Sequence, residues 1–550
     1  MFLRRARAPI AIAVAIAIVY WPGLYGFWGR DDFMQLAFAR LIGSPWPLFV
    51  HDHYFPVPGS IFRPLGFASF WLWQALFGTN YFAHAFADML LHIAVSLALY
   101  RVIRASEIAR FPAASCTLVF ALHPAVLGTA LWWSARFDLL TALFSFVAVR
   151  AAIDHVERPR WTTLLAALIA VLAALLSKET ALAGVAAIGL VWSHWAWTDR
   201  AHRADAARAI AALGVAALLF LTWRWVVIGT ATSGLAGEIS LTAAIGKGFV
   251  DWMANLGGYL SFWPRLDVAE RVALAIAAVT TIVCAGMSWS QRERNGAGSH
   301  NTALLLCGVC LFALPALLQA PVVALNATPL RSDVSAVEAA MQSRLYYLSI
   351  GGGAIVLSVF LRHVLSAATR SSKILTSALV VAACVCAWVS RESATDFAHT
   401  TVAPATMAEA ATSAVDRLAP SATRCHVVLL GVQPPPEWGI YVSMDSVVKA
   451  LSPDLARVQR CFIHSDYATY FYLMGRDVAL SDAAPYTPHE FEGKPLGWLH
   501  VGDAVVAYLD PPATPDASTL SATTFLLYEN GVCHDVTDDI VEGRIRVHLH

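Results

Sequence analysis

The sequence predicts an all-α polytopic membrane bundle of about eleven transmembrane helices, followed by a C-terminal mixed α/β extracytoplasmic domain. Three observations carry this reading. Hydrophobic residues make up 58% of the chain and charged residues 14%, which excludes an ordinary soluble globule. Apolar runs recur through residues 1–391, and short arginine-bearing loops separate alternate runs. From about 392 those runs stop, and strand-like segments with Pro/Gly turns take over through 550.

In chain order the apolar runs lie near 9–28, 81–103, 110–129, 138–156, 161–177, 180–197, 207–228, 271–290, 302–320, 345–362 and 374–391. The first has a basic start, but its Trp21-Pro22-Gly23 exit lacks a small-residue cleavage site and reads as a retained span. Between alternate runs lie Arg4/Arg5/Arg7, Arg101/Arg104/Arg110, Arg158/Arg160, Arg200/Arg203/Arg208, Arg292/Arg294 and Arg362/Arg370/Lys373. Clustered basic residues in short loops mark the cytoplasm, so the N-terminus is cytoplasmic and the C-terminal domain periplasmic, in a bacterial inner (plasma) membrane. Three outer loops follow from this topology: 29–80, 229–270 and 321–344. Within them, 61–77 reads as an interfacial helix and 245–264 as a helix lying along or dipping into the bilayer.

In the C-terminal domain, 425–431, 459–464, 503–509 and 523–528 read as strands, and 441–451 and 465–475 as helices. Cys425, Cys461 and Cys533 allow one disulfide with one thiol left over, the pair being open. Cys307 and Cys310 form a C-x-x-C inside an apolar helix, where packing is the better reading than metal or redox work. The formal net charge is zero, which argues against a nucleic-acid partner.

The polar residues that face outward in this topology are the candidates for chemistry. Asp31 and Asp32 follow the first span; two adjacent carboxylates at a membrane surface repel, and one can serve as a general base. The bland alternative is a solvated turn with Asp32 capping the next helix. Arg63 and Arg344 are fixed cations suited to phosphate, or else arginines snorkelling to headgroups. Lys178-Glu179 is either a phosphate contact or an ion pair closing a turn. His123-Pro124 marks a helix break. Arg136 and Asp138 beyond it stand i,i+2, too far apart in phase to pair along one helix face, so each needs a partner elsewhere. No zinc pattern, Walker loop or nucleophile elbow is present; His51-Asp52-His53 is a weak metal pattern, and no metal site is assigned.

These pieces, in this order, resemble polytopic glycosyltransferases of the GT-C fold, and within it the O-mannosyltransferases with transmembrane and tetratricopeptide repeats and their bacterial relatives. The likeness rests on Asp31-Asp32, Phe62 to Leu65, the block His123-Pro124, Trp132, Ser134, Arg136 and Asp138, the turn Leu176 to Glu179, and Arg344, Tyr347 and Leu348. It covers residues 1–365. This chain departs from the pattern at Gly128, Ser343 and Ser349, and the repeats are replaced by a different domain. The resemblance implies a polyprenyl-phosphate-linked sugar donor and a glycan, lipid or protein acceptor. It further implies Asp31, with Asp32 second, as catalytic base. Arg63, His123, Arg136, Asp138, Lys178, Glu179, Arg344 and Tyr347 would be donor-phosphate or substrate contacts. No cofactor is assigned, a divalent cation being optional. The rival reading is a transporter or lipid flippase, which predicts mid-membrane charges and repeated halves.

Overall fold

The computed structural model describes the chain except residues 1, 30, 52–60, 230–245, 247–298, 327–342, 367–369, 419–424, 433–443, 460, 466–489, 492–493, 502–503, 510–522 and 550. Among the described residues, six helices are long and apolar enough to cross a membrane, or up to seven if one bent pair is a single span. They are Ala6–Tyr25, Tyr81–Arg104, Trp133–Glu157, Arg203–Ile228, Ser343–Arg362 and Thr376–Arg417. The chain is a multi-pass membrane protein.

The helices used below are α1 (Phe2–Tyr20), α2 (Asp31–Leu41), α3 (Pro64–Phe77), α4 (Tyr81–Arg104), α5 (Arg110–Ala121), α6 (Leu127–Leu131), α7 (Arg136–Glu157), α8 (Trp161–Leu175), α9 (Leu182–Thr198), α10 (Arg203–Ile228), α11 (Ser299–Asn326) and α12 (Tyr347–Ser366). The six or seven spans counted among the described residues do not confirm the eleven expected from the sequence. Length bears on three of the expected runs, since α5, α8 and α9 have 12, 15 and 17 residues. At about 1.5 Å per residue none reaches the roughly 30 Å of a hydrocarbon core. The run at 271–290 lies outside the described residues, as do Asp52, His53 and, apart from Gly246 and Ser465, the helices expected at 245–264 and 465–475.

The chain forms two compact units. The first comprises Met1–Leu24, Pro45–Ser69 and Phe82–Phe397; the second comprises Tyr25–Ser44, Phe70–Tyr81 and Ala398–His550.

In the first unit the α5–α6 pair bends by 59° at His123-Pro124. Proline lacks an N–H and disfavours helical conformation in the residue before it, so the ladder must stop there. The freed groups are satisfied by side chains. His123 Nδ1 accepts from the Ala125 N–H at 3.1 Å. The Ala121 carbonyl accepts from the Tyr20 hydroxyl at 2.9 Å and from His92 Nε2 at 2.9 Å, and the Leu122 carbonyl accepts from the Ser390 hydroxyl at 2.8 Å. A carbonyl can only accept, so His92 carries its proton on Nε2 and its Nδ1 accepts from the Tyr347 hydroxyl, 2.6 Å away. Gly352 lets α11 and α12 touch backbone to backbone: a Cβ there would lie 2.5 Å from Phe312 N and 2.8 Å from Gly308 O. Glycine at a helix–helix contact allows this kind of backbone approach.

In the second unit, strands β1 (Cys425–Leu430), β2 (Cys461–Ser465), β6 (Thr523–Glu529) and β7 (Val532–Asp535) form a sheet in the order β2-β1-β6-β7. Strand β1 runs parallel to both β2 and β6, and the helix Met444–Leu451 makes the crossover from β1 to β2. Strands β3 (Glu490–Phe491), β4 (Lys494–Val501), β5 (Ala504–Leu509) and β8 (Val547–Leu549) form an antiparallel sheet. Val501 and Val506 from this sheet join Val428, Leu430 and Phe525 from the first in one buried core. Cys461 is disulfide-bonded and lies across from Cys425 in the β1–β2 register, while Cys533 is free.

Candidate functional site

The turn that joins α8 to α9 carries Lys178 and Glu179, and both side chains turn inward among charged partners in the first unit. Lys178 Nζ donates to Asp138 Oδ1 at 2.6 Å, each side chain being 9% exposed. Glu179 stands between two guanidinium groups. Its Oε2 accepts from Arg63 Nε at 2.9 Å, and its Oε1 from Arg224 at 2.9 Å. Arg224 is buried in α10, whereas Arg63 and Glu179 are 20% and 29% exposed. The cluster thus has a fixed inner cation and a more accessible outer pair.

Local sequence explains how these groups meet. Arg63 precedes Pro64 at the start of α3, and the Leu65 N–H donates to the Leu176 carbonyl at 3.1 Å. Gly66 permits that approach, because a Cβ there would lie 2.3 Å from the Phe137 ring. The Arg63 guanidinium lies over the same ring, 5.2 Å from its centroid. Asp138 projects from the first turn of α7.

Electrostatics follow from the geometry. Burial pushes the Glu179 carboxyl upward, but the guanidinium groups of Arg63 and Arg224 more than reverse this, leaving it at about 2. Burial pushes the Lys178 ammonium below the ordinary lysine range, Asp138 opposes that, and the positive charges of Arg63 and Arg344 add to the depression. Arg344 is therefore close enough to belong electrostatically to the set. Its guanidinium lies 4.2 Å from the centroid of the Trp132 ring. Arg63, Lys178, Arg224 and Arg344 face two carboxylates, so the set is net positive and suited to an anion with several oxygens.

Arg136 and Asp138 do find separate partners. Arg136 makes a two-pronged ion pair with Asp88 of α4, Nε to Oδ1 at 2.7 Å and Nη2 to Oδ2 at 3.1 Å. Both side chains are nearly inaccessible, and the guanidinium also sits 5.0 Å from the Trp133 ring centroid and donates to the Ser69 carbonyl. This enclosed pair ties α4 to α7. His123 is buried as a cap at the α5–α6 break, and Tyr347 is buried with its hydroxyl on His92.

Asp31 and Asp32 belong to the second unit, on the first turn of α2. Asp32 is buried and its Oδ2 accepts from the Gly29 N–H at 3.3 Å, while the Asp32 N–H donates back to the Gly29 carbonyl at 3.0 Å. Gly29 and Asp32 thus exchange two hydrogen bonds across the start of α2. Asp31 is half-buried. Among the described residues no group of three or more His, Cys, Asp or Glu side chains is placed to hold a metal ion.

Arg224 and Asp88 were not candidates from sequence. Each lies inside an apolar helix at a position where charge is costly, and that cost was the available signal.

No protein family and no curated protein sequence matches the chain. Among solved structures it is similar to ArnT from Cupriavidus metallidurans bound to undecaprenyl phosphate, with a TM-score of 0.46 and 13% identity over 92% of this chain and 98% of that one. It is also similar to the Archaeoglobus fulgidus oligosaccharyltransferase tethered with an acceptor peptide, with a TM-score of 0.41 and 12% identity over 81% of this chain. The chain spans 64% of the oligosaccharyltransferase's length, less than two thirds.

Proposed function

We propose that this chain is a GT-C-type membrane glycosyltransferase. It moves a sugar from a polyprenyl-phosphate-linked donor to a glycan, lipid or protein acceptor on the outer face of the inner membrane, with inversion. In this reading residues 1–391 are the transferase domain and 392–550 its extracytoplasmic partner. The observation that supports it best is the net-positive cluster around the α8–α9 turn, in which Glu179 bridges Arg63 and Arg224 beside Lys178–Asp138.

A donor phosphate takes over the Arg63 donors from the partly exposed Glu179 carboxylate, while buried Arg224 keeps Glu179 paired. Asp31 removes the proton from the acceptor hydroxyl, and the oxygen forms a bond to the anomeric carbon. The bond from that carbon to the phosphate oxygen breaks, and its electron pair leaves with polyprenyl phosphate. Cations fixed before the reaction stabilise the charge that develops there without reorganising. Asp32 holds the turn rather than the proton.

The test is turnover of purified protein with a panel of radiolabelled undecaprenyl-phosphate sugars and an envelope extract as acceptor. Release of undecaprenyl phosphate that depends on acceptor is the expected result. Absence of release across the panel, with lipid translocation in vesicles instead, would replace this reading with the flippase.

A further inference from the structure

We propose that Arg40 is a positioning residue for the reaction: by gripping the C-terminal domain it sets the orientation of the helix that presents Asp31. This rests on the reading of Asp31 as the base. The helix α2 is only 11 residues long, too short to hold its own geometry in isolation. Its orientation must come from what it is fastened to.

The fastening is specific. Arg40, in the last turn of α2, donates to the Lys449 carbonyl at 3.0 Å, the Ala450 carbonyl at 2.7 Å and the Ser452 carbonyl at 2.7 Å. These carbonyls close the helix Met444–Leu451, whose last turn leaves acceptors without intrahelical donors and carries partial negative charge. A planar guanidinium can serve three converging acceptors, whereas an ammonium acts as a compact point charge. The acceptor array is itself braced, because the Ser452 hydroxyl donates to Asp416 Oδ1 at 2.5 Å and accepts from the Asp454 N–H at 3.1 Å.

The segment that leads into α2 is tied to the same domain. The Phe27 N–H donates to Thr401 Oγ1 at 3.0 Å, and Thr401 is fully buried. Between the two ties, one face after another of α2 is buried, from Asp32 through Ala39. Arg40 lies nine residues beyond Asp31, which at about 100° per residue places it roughly half a turn around the helix. The gripped face is therefore opposite Asp31, and Asp31 remains half-buried rather than enclosed. The C-terminal domain thereby acts on the chemistry through backbone geometry, whatever else it recognises.

The experiment measures kcat and donor KM for Arg40→Ala, Arg40→Lys, Thr401→Val and Asp31→Asn. It uses radiolabelled undecaprenyl-phosphate mannose and glucose with an envelope extract as acceptor, each protein being normalised to its monodisperse folded fraction. Small misplacements of a reacting group cost rate on the order of 10- to 100-fold. Arg40→Ala is expected to lower kcat by that factor with donor KM within about two-fold, and Arg40→Lys to recover part of it. Thr401→Val, which keeps side-chain shape, is expected to give a smaller loss in kcat alone, and it decides the matter if Arg40→Ala does not fold. Wild-type kcat in Arg40→Ala or in Thr401→Val, with Asp31→Asn inactive, overturns the positioning role and leaves the base intact. Transfer by Asp31→Asn overturns the base reading and this inference with it.

Discussion

Lys178 Nζ lies 2.6 Å from Asp138 Oδ1, and the two side chains share a site in which each is 9% exposed. Two charges removed from water hold each other there at a distance that leaves no room for a solvent molecule. Removing one alone strands the other. Lys178→Met is therefore expected to destabilise the protein by about 3–5 kcal/mol, whereas Lys178→Met with Asp138→Leu recovers much of that loss. Thermal unfolding in detergent by intrinsic fluorescence measures both, and equal melting temperatures for the single and double variants would contradict it.

Glu179 gives a pH signature. Its carboxyl sits at about 2 in the folded protein, below the ordinary value of 4.5, since Arg63 and Arg224 outweigh burial. A depressed acid contributes stability that is present above the unfolded value and lost as pH falls through the folded one. The Tm gap between wild type and Glu179→Gln is thus expected to be constant above about pH 5 and to narrow from there toward pH 2. A gap that widens on acidification is the contrary outcome.

Arg224 and Arg63 contact the same carboxylate from different depths, so their loss should differ. Arg63→Gln is expected to raise donor KM about ten-fold with little change in Tm, because the side chain is partly exposed. Arg224→Met is expected to lower both activity and Tm, since it leaves Glu179 with one cation fewer in a buried place. Steady-state kinetics beside melting curves separate the two, and identical profiles would mean that depth is irrelevant.

Gly352→Ala is expected to cost about 1–3 kcal/mol, because the new methyl meets the backbone of Phe312, Leu311 and Gly308 rather than a flexible side chain. Gly214→Ala, whose Cβ meets nothing within 4 Å, serves as the control. A Tm for Gly352→Ala no lower than that control would refute the close α11–α12 contact.

Parts of this arrangement were legible in the sequence, and the reasons differ by residue. The bend at His123-Pro124 follows from proline chemistry and could be read locally. The i,i+2 phase of Arg136 and Asp138 required separate partners, which proved to be Asp88 and Lys178. Strands expected at 425–431, 459–464, 503–509 and 523–528 occur as Cys425–Leu430, Cys461–Ser465, Ala504–Leu509 and Thr523–Glu529, since their β-branched and aromatic runs are contiguous. Strand Lys494–Val501 was not read, because Pro495 and Gly497 mimic a turn. The partners Asp88 and Arg224 lie 48 and 45 residues from the groups they meet, a separation no local pattern encodes. The Arg40 grip spans more than 400 residues and was equally invisible.

Lipid-phosphate recognition by the cations around Glu179 is tested most directly by native mass spectrometry of the purified protein with undecaprenyl phosphate. A one-to-one complex is expected for the wild type and for Asp31→Asn, with affinity reduced on the order of ten-fold in Arg63→Gln. Equal retention of the lipid by wild type and an Arg63→Gln/Arg224→Met double variant would contradict the account.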